Sequence, residues 1–221
     1  GATGSGQSTL IGLIPRFYDA TGGQVLLDGR DVRSFTFDAL YDRLGYVTQK
    51  ATLFSGTVES NVFFGRGAAA ETDEGLQTAL SLSQAAEFVN AYPEGAQHAI
   101  AQLGRNVSGG QKQRLAIARA LARGAEILVF DDSFSALDYR TDAQLRAGLG
   151  TQMAGVTKII VAQRISTIRH ADEILVLDRG EIVGRGTHEE LLRTCEVYRE
   201  IAGSQLSEQE LQEGGAQHEA E

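Results

Sequence analysis

The chain has 221 residues, of which 42% are hydrophobic and 22% charged, with 26 glycines and only two prolines. This composition is typical of a soluble globular protein and excludes a disordered or fibrous one. The length suits one large α/β domain, alone or with a smaller domain inserted. The net charge of −9 argues against a nucleic-acid-binding surface, because proteins that bind nucleic acids carry a basic excess that neutralises the backbone phosphates. Cys195 is the only cysteine, which excludes an internal disulfide and a cysteine-based metal site and fits a reducing compartment.

The chain opens with GATGSGQST, which follows the spacing of a phosphate-binding loop, G-x-x-x-x-G-K-[ST]. Glycines in such a loop let backbone N–H groups turn toward phosphate oxygens at the start of a helix. A serine hydroxyl at the end of the motif can bind Mg²⁺. Taken alone, the segment also fits a simple glycine-rich turn. The candidate nucleotide-binding residues are Gly1, Thr3, Gly4, Ser5, Gly6, Gln7, Ser8 and Thr9, with Ser8 also a candidate Mg²⁺ ligand.

Gln7 stands where the motif has a lysine. Its amide can donate a hydrogen bond to a phosphate oxygen, but it lacks the ammonium charge that would offset a triphosphate and its transition state. We therefore expect weaker binding and a larger loss of hydrolysis. The following helix is expected to place Leu10, Leu13 and Ile14 on one face before Pro15.

Short β-branched and aliphatic runs then predict strands. The runs at 126–130 and 158–162 lack polar alternation, as expected of central parallel strands covered on both faces. The longest apolar stretches are strand-sized and far short of the roughly 20 residues that span a bilayer, so we expect any membrane-spanning part to lie outside this chain. The predicted strands cover residues 24–28, 44–49, 126–130, 158–162 and 173–177.

The chain organisation follows from these runs. Residues 50–122 have Ala, Leu, Ser and Gln at helical spacing and predict a helical subdomain inserted into an α/β core, which is formed by residues 1–49 and 123–203. Residues 204–221 carry five glutamates after residue 207 and no Lys or Arg, and they are expected to form a disordered acidic tail.

A second candidate phosphate site lies in the middle of the chain, directly before a predicted helix. Its serine is a natural N-cap, and its two glycines leave backbone N–H groups exposed at the positive end of the helix. One domain does not need two such sites for one nucleotide. A simple serine-capped helix would explain the serine but not the whole string. The residues are Ser108, Gly109, Gly110 and Gln111.

With these residues the chain resembles the ATP-binding cassette (ABC) family, whose signature motif LSGGQ is matched by VSGGQ at 107–111. The resemblance runs from Gly1 to about Gln205. Segments FSGTVESNV (54–62) and ADEILVLDRGEIVGRGTHEELL (171–192) resemble the exporter branch, which includes multidrug, lipid and peptide transporters. Four further motifs stand in the family's order along the chain. The Q-loop GYVTQ, which ends at Gln49, precedes the signature. The Walker B motif ILVFDD, which ends at Asp131 and Asp132, the D-loop SALD at 135–138, and VAQRIST, which places Gln163 at the H-loop position, come after it.

The resemblance implies a P-loop (RecA-like) α/β fold, with a mostly parallel sheet, an inserted all-helical subdomain and an antiparallel β portion near the N-terminus. It implies ATP and Mg²⁺ as cofactors. It also implies two partners: a second ABC ATP-binding domain in a head-to-tail dimer, and a transmembrane domain of the same transporter, at the cytoplasmic face of a membrane. The adenine-stacking aromatic ring and one strand of the family fold are expected upstream of Gly1.

The resemblance also assigns site roles. Asp131 is expected to hold Mg²⁺, and Gln49 to reach both Mg²⁺ and the membrane-domain interface. Asp132 stands where the family has its catalytic glutamate, and its carboxylate is retracted by about 1.5 Å, a displacement that can lower a rate about 10²-fold. Gln163 replaces a histidine that contacts the γ-phosphate, and it cannot carry a titratable positive charge. The charged residues Arg66, Lys112 and Arg114 are expected on solvated faces.

The three departures at Gln7, Asp132 and Gln163 fall on the same side of the nucleotide, whereas the signature is intact. This asymmetry resembles the degenerate half of heterodimeric exporters and predicts a non-identical partner. Such halves usually keep the lysine, so Gln7 departs even from that pattern. Two alternatives stay open: a soluble ABC ATPase of the DNA-repair or translation type, which the exporter-like segments and acidic charge disfavour, and a non-catalytic regulatory or structural module, which Gln7 favours.

Overall fold

The computed structural model describes residues 4–65 and 71–205. The chain divides into two compact units, one formed by residues 1–12 and 161–221 and the other by residues 13–160. The predictions for Gly1 and Thr3, for Arg66 and for the tail beyond Gln205 lie outside the described residues.

The strands, in chain order, are β1 (Leu26–Leu27), β2 (Arg30–Asp31), β3 (Leu44–Val47), β4 (Gly56–Thr57), β5 (Ala99–Ile100), β6 (Ile127–Asp131), β7 (Thr157–Val161), β8 (Ile174–Asp178) and β9 (Glu181–Gly186). The helices are α1 (Gln7–Gly12), α2 (Phe37–Asp42), α3 (Val58–Val62), α4 (Asp73–Leu82), α5 (Ala86–Asn90), α6 (Gly109–Ala122), α7 (Tyr139–Gln152), α8 (Ile165–Ile168), α9 (His188–Thr194) and α10 (Glu196–Gly203). Within the described ranges, no helix is both long enough and apolar enough to cross a bilayer.

The sheet of the 13–160 unit has the order β3-β6-β7, and β3 runs parallel to β6 from Leu44 opposite Ile127 to Val47 opposite Phe130. Leu128, Val129 and Phe130 of β6 are all fully buried, and because consecutive side chains point to opposite faces of a strand, both faces of β6 are covered. The prediction of a buried central parallel strand at 126–130 is confirmed. The strands predicted at 44–49 and 158–162 are also present, with ends shifted by one or two residues. The prediction that 158–162 is a central strand covered on both faces was wrong, because β7 stands last in the order of the described sheet and none of its residues is fully buried.

Helices α3 to α6 form the part of this unit that the sequence marks as helical. The helix α6 is its centre, and eight of its fourteen residues are buried. One detail of the prediction was wrong, since β4 and β5 pair antiparallel here and the segment is not entirely helical. Strands of two residues carry too little hydrophobic pattern to be recognised.

Arg114 of α6 is not on a solvated face as expected. Its Nη1 donates a hydrogen bond to the Gln84 carbonyl at 3.0 Å, and its guanidinium carbon lies 4.8 Å from the centre of the Phe88 ring. The charge is therefore used to join α6 to the region of α5.

The antiparallel β portion expected near the N-terminus is the β1–β2 hairpin, in which Leu26 pairs with Asp31. Its two-residue turn, Asp28-Gly29, has positive φ at both positions (50° and 76°), as a type I′ hairpin turn requires. A small apolar cluster beside it contains Leu27, Val32 and Leu40.

The unit formed by residues 1–12 and 161–221 contains α1, the antiparallel β8–β9 hairpin and helices α8 to α10. Strand β9 was not predicted, because EIVGRG has two glycines and two charges. A Cβ at Gly184 would lie 2.8 Å from Cys195 Sγ, so the absence of a side chain lets α9 and its end approach the strand. The helix α1 ends at Gly12, and the expected apolar face was wrong because Leu13 and Ile14 lie beyond its end and Leu10 is 41% exposed.

Candidate nucleotide-binding site

The described part of the phosphate loop has a backbone that glycine alone adopts readily. Gly4 and Gly6 have φ values of +85° and +94°. A Cβ at Gly4 would meet nothing within 4 Å, and one at Gly6 only Gly180 Cα at 3.8 Å. Conformation, rather than lack of space, therefore requires glycine at both positions.

Ser5 lies between these glycines and is held from the β8–β9 turn. Its carbonyl accepts a hydrogen bond from the Gly180 N–H at 3.1 Å. Its side chain is only 5% exposed, and its hydroxyl has no hydrogen-bond partner among the described residues. A buried hydroxyl without a partner costs free energy, so the loop fits a ligand that offers an acceptor such as a phosphate oxygen. Gln7 and Ser8 form the first turn of α1 directly after it.

Gln163 follows β7 at the start of a short connection to α8. The backbone around it is bound by a residue that the sequence did not single out as functional. Gln205 donates its Nε2 to the Gln163 carbonyl at 2.8 Å, and its Oε1 accepts the Ile165 N–H at 2.9 Å. The two glutamines are 42 positions apart, and no motif connects them.

Asp131 and Asp132 lie at the carboxyl end of β6 and are 9% and 6% exposed. Asp132 has φ +47°, in the left-handed region, which Asp adopts more readily than most residues. Gln49 Nε2 donates to Asp132 Oδ2 at 3.1 Å, and the Ser133 hydroxyl donates to the Val47 carbonyl at 3.0 Å. The structure thus brings together Gln49 and Asp132, which the sequence predicted as one site.

Tyr46 is a further residue of this strand end that the sequence analysis missed. It lies opposite Val129 in the β3–β6 register, and side chains two apart share a face of a strand, so it is on the same face as Asp131. Burial, followed by the charge and the hydrogen bond of Asp131, raises the pKa of Tyr46 well above its ordinary value. The phenol therefore stays protonated and is able to donate a hydrogen bond toward the candidate Mg²⁺ ligand Asp131. The ring of Phe17 packs edge-on against Tyr46 at 5.1 Å. Only the β3–β6 register could have shown that Tyr46 and Asp131 lie on the same face.

The signature string begins α6 as a complete capping box. Ser108 is the N-cap, with its Oγ accepting the Gln111 N–H at 3.2 Å, while Gln111 Oε1 accepts the Ser108 N–H at 2.9 Å. A Cβ at Gly109 would meet nothing within 4 Å, and one at Gly110 only the Ala136 carbonyl at 3.6 Å. The side chain of Gln111 is thus used to hold the helix start, and the two glycines present open backbone beside it.

Arg119 of α6 organises the segment after the Q-loop, which sequence reasoning also missed. It donates to the carbonyls of Asn61 and Thr52 at 2.8 and 2.9 Å and to Asn61 Oδ1 at 3.0 Å. Burial lowers the pKa of Arg119 to about 10, so it is still charged at neutral pH. The stacked rings of Phe54 and Phe64, 4.1 Å apart, lie beside its guanidinium. The exporter-like segment 54–62 is therefore anchored to the signature helix.

The structure places these residues in the two units separately. The phosphate loop and Gln163 belong to the unit of residues 1–12 and 161–221, and Gln49, Asp131, Asp132 and the signature belong to the unit of residues 13–160. Of the described groups, those at the carboxyl ends of β3 and β6 offer the carboxylate and amide oxygens that suit Mg²⁺.

Comparison with known proteins agrees with these features. The profile of the ABC transporter family matches residues 1–135. An uncharacterized ABC transporter ATP-binding protein of Mycobacterium tuberculosis (strain H37Rv) is 50% identical over 206 residues, which cover 93% of this chain and 35% of that protein. The ATP-dependent lipid A-core flippase of Xanthomonas oryzae pv. oryzae is 43% identical over 210 residues, covering 95% of this chain and 36% of the flippase.

Among solved structures, a bacterial Atm1-family ABC exporter with ATP bound matches with a TM-score of 0.88 and 37% identity, over 94% of this chain and 36% of that one. The chain thus spans about a third of the length of the relatives it matches. The mixed α/β fold, the motif order and these matches show that the chain belongs to the ABC transporter family, that it corresponds to the family's ATP-binding domain, and that its resemblance is to the exporter branch.

Proposed function

We propose that this chain is the nucleotide-binding domain of an ABC exporter, with a hydrolysis-impaired site of its own and an intact signature that serves the site of a non-identical partner domain. The observation that carries the proposal is the contrast between the complete capping box at Ser108–Gln111 and the substitutions at Gln7, Asp132 and Gln163. The exporter role draws support from the flippase and Atm1-family relatives.

ATP with Mg²⁺ would be held by two sets of residues. The phosphate loop from Gly4 to Thr9 would bind the phosphates, with Ser5 offering its unpartnered hydroxyl. Asp131, Ser8 and Gln49 would hold Mg²⁺, which when bound neutralises charge on the β- and γ-phosphates. Tyr46, on the same face of the β3–β6 pair as Asp131, would donate a hydrogen bond that orients this carboxylate.

Hydrolysis at this site is expected to be slow for three physical reasons. Asp132 is one methylene shorter than glutamate, and one of its oxygens already accepts the Gln49 amide. Gln7 provides no ammonium charge to stabilise the transition state. Gln163 can hydrogen-bond but cannot carry a proton on a basic ring as histidine does.

The signature would act on a second nucleotide. Backbone N–H groups at Gly109 and Gly110, at the positive end of α6, suit the γ-phosphate of an ATP bound by the partner domain. Binding of ATP would close the two domains head to tail at the cytoplasmic face of the membrane. Hydrolysis at the partner's site would reset the attached transmembrane domain.

Steady-state ATP turnover of the purified domain tests the proposal, together with equilibrium binding of a non-hydrolysable ATP analogue. We expect measurable binding with turnover well below the ordinary enzyme range of about 1 to 10³ s⁻¹. Turnover within that range would contradict the impaired site. Absence of any binding would favour the second candidate, a non-catalytic regulatory or structural ABC module, which the missing lysine at Gln7 supports.

A further inference from the structure

The segment that carries Gln163 is bound from the end of the last described helix. Gln205 follows α10, and its side-chain amide makes two hydrogen bonds to the backbone of residues 163 and 165, at 2.8 and 2.9 Å. Both contacts lie within the unit of residues 1–12 and 161–221.

The geometry of the segment explains why one amide can make both bonds. Arg164 is extended, with φ −91° and ψ 125°, and around an extended residue the preceding carbonyl and the following N–H point to the same side. A primary amide carries a donor and an acceptor side by side. Its orientation is fixed, because the Gln163 carbonyl requires the NH₂ group and the Ile165 N–H requires the oxygen.

The Ile165 N–H has a particular need for this acceptor. Ile165 is the first residue of α8, and the first N–H groups of a helix have no acceptor inside it. Arg164 provides no side-chain cap. Gln205 therefore caps α8 from a position 40 residues away.

The amide is itself held in place by α10. The backbone N–H groups of Ser204 and Gln205 donate to the carbonyls of Glu200 and Ala202 at 3.1 and 3.0 Å. Ala202 packs in the same buried cluster as Ile165. The position of α10 thus determines where Gln205 can hold the backbone beside Gln163.

We infer that Gln205 is a positioning residue for the Gln163 segment: it fixes the backbone on both sides of Arg164 and so sets the direction in which Gln163 leaves the chain. The functional part of this inference rests on the proposed role of Gln163 at the nucleotide. The pair of hydrogen bonds from Gln205 to the backbone of residues 163 and 165, called the clamp below, does not depend on that role.

Hydrogen exchange of the Ile165 amide, measured in the intact transporter, tests the clamp. Gln205→Met keeps the length of the side chain but removes both bonds, and Gln205→Asn keeps the amide but shortens its reach. We expect both to speed exchange at Ile165 about fivefold. The matched control is Ser204→Ala, which removes the hydrogen bond from Ser204 Oγ to the Ile201 carbonyl at the same helix end and leaves the amide intact. Unchanged exchange in Gln205→Met, or an equal rise in Ser204→Ala, would overturn the inference.

A double-mutant cycle tests the functional part, with equilibrium binding of a non-hydrolysable ATP analogue as the readout. Gln163→Ala should weaken binding less in the Gln205→Met background than in the unmodified transporter, since a displaced Gln163 has less to lose. Additive effects would show that Gln205 does not position Gln163. If Gln163→Ala changes binding in neither background, the role of Gln163 at the nucleotide is wrong, and the exchange measurement alone still decides the clamp.

Discussion

The start of α6 and the end of β6 carry the two best-defined motifs of the larger unit, and they are built in different ways. At the helix start, Ser108 and Gln111 satisfy each other's polar groups within four consecutive residues. At the strand end, Asp131 and Asp132 take their partners from β3 and its following loop, more than 80 positions earlier. A local motif therefore predicts its own geometry, whereas the strand end depends on residues that only the folded sheet brings together.

The two regions also differ in how closely their residues match the motifs of the family. The helix start matches the SGGQ of the family signature at every position. At the strand end, Asp132 stands where the family has a glutamate, and in the other unit Gln7 and Gln163 stand where it has a lysine and a histidine. If the proposed function holds, substitutions in the signature should affect transport energetics far more than substitutions at Asp132.

The largest effect is expected for Gly109→Asp, which would place a negative charge where a partner-bound γ-phosphate meets the positive end of α6. Steady-state ATPase activity of the assembled transporter should fall by about 10²-fold or more. Because a Cβ at Gly109 meets nothing within 4 Å in this chain, the fold should tolerate the change. Gly109→Ala is the control that adds bulk without charge. Intact turnover in Gly109→Asp would show that the signature does not serve an active site.

The next largest effect is expected for Gln7→Lys, which concerns the chain's own phosphate loop and should raise its affinity for ATP. A lysine ammonium would add a charge-assisted hydrogen bond to a phosphate in the ground state and raise affinity for a non-hydrolysable ATP analogue about tenfold. Asp132→Glu is the matched variant and should raise affinity less, because a carboxylate there acts mainly on the attacking water. Equal or reversed gains would show that Gln7 is not the binding defect.

The parts that the sequence predicted are those with strong local patterns. The apolar run at 126–130 lies as a buried strand, and Ser108 caps a helix as its type and position indicate. Strand β9 was missed because Gly184 has a low strand propensity. The structure has glycine there because a Cβ would lie too close to Cys195. Two contacts of the candidate site, those of Tyr46 and Gln205, were missed because they join residues far apart in the chain. No local pattern encodes them.

The cap at Ser108 provides a stability test of the same region. Ser108→Ala removes the acceptor of the Gln111 N–H and should lower the free energy of unfolding by about 1 kcal/mol, whereas Ser108→Gly should cost only a few tenths. Urea unfolding of the two variants measures the difference, provided the slope with denaturant is unchanged. Neither variant has the hydroxyl, so an unchanged free energy of unfolding in Ser108→Ala would indicate that the hydroxyl does not stabilise the helix start.

The smallest effect is expected for Asp132→Asn, and it is the sharpest test of the comparison. An asparagine oxygen can still accept the Gln49 amide that now donates to Asp132 at 3.1 Å, so the strand end should keep its arrangement. The change removes a carboxylate that is already one methylene short of the family's base. We therefore expect the total ATPase activity of the transporter to change by no more than about twofold. If Asp132→Asn instead silences the transporter while Gly109→Asp leaves turnover intact, this chain's own site is the working one, and the heterodimer proposal is wrong.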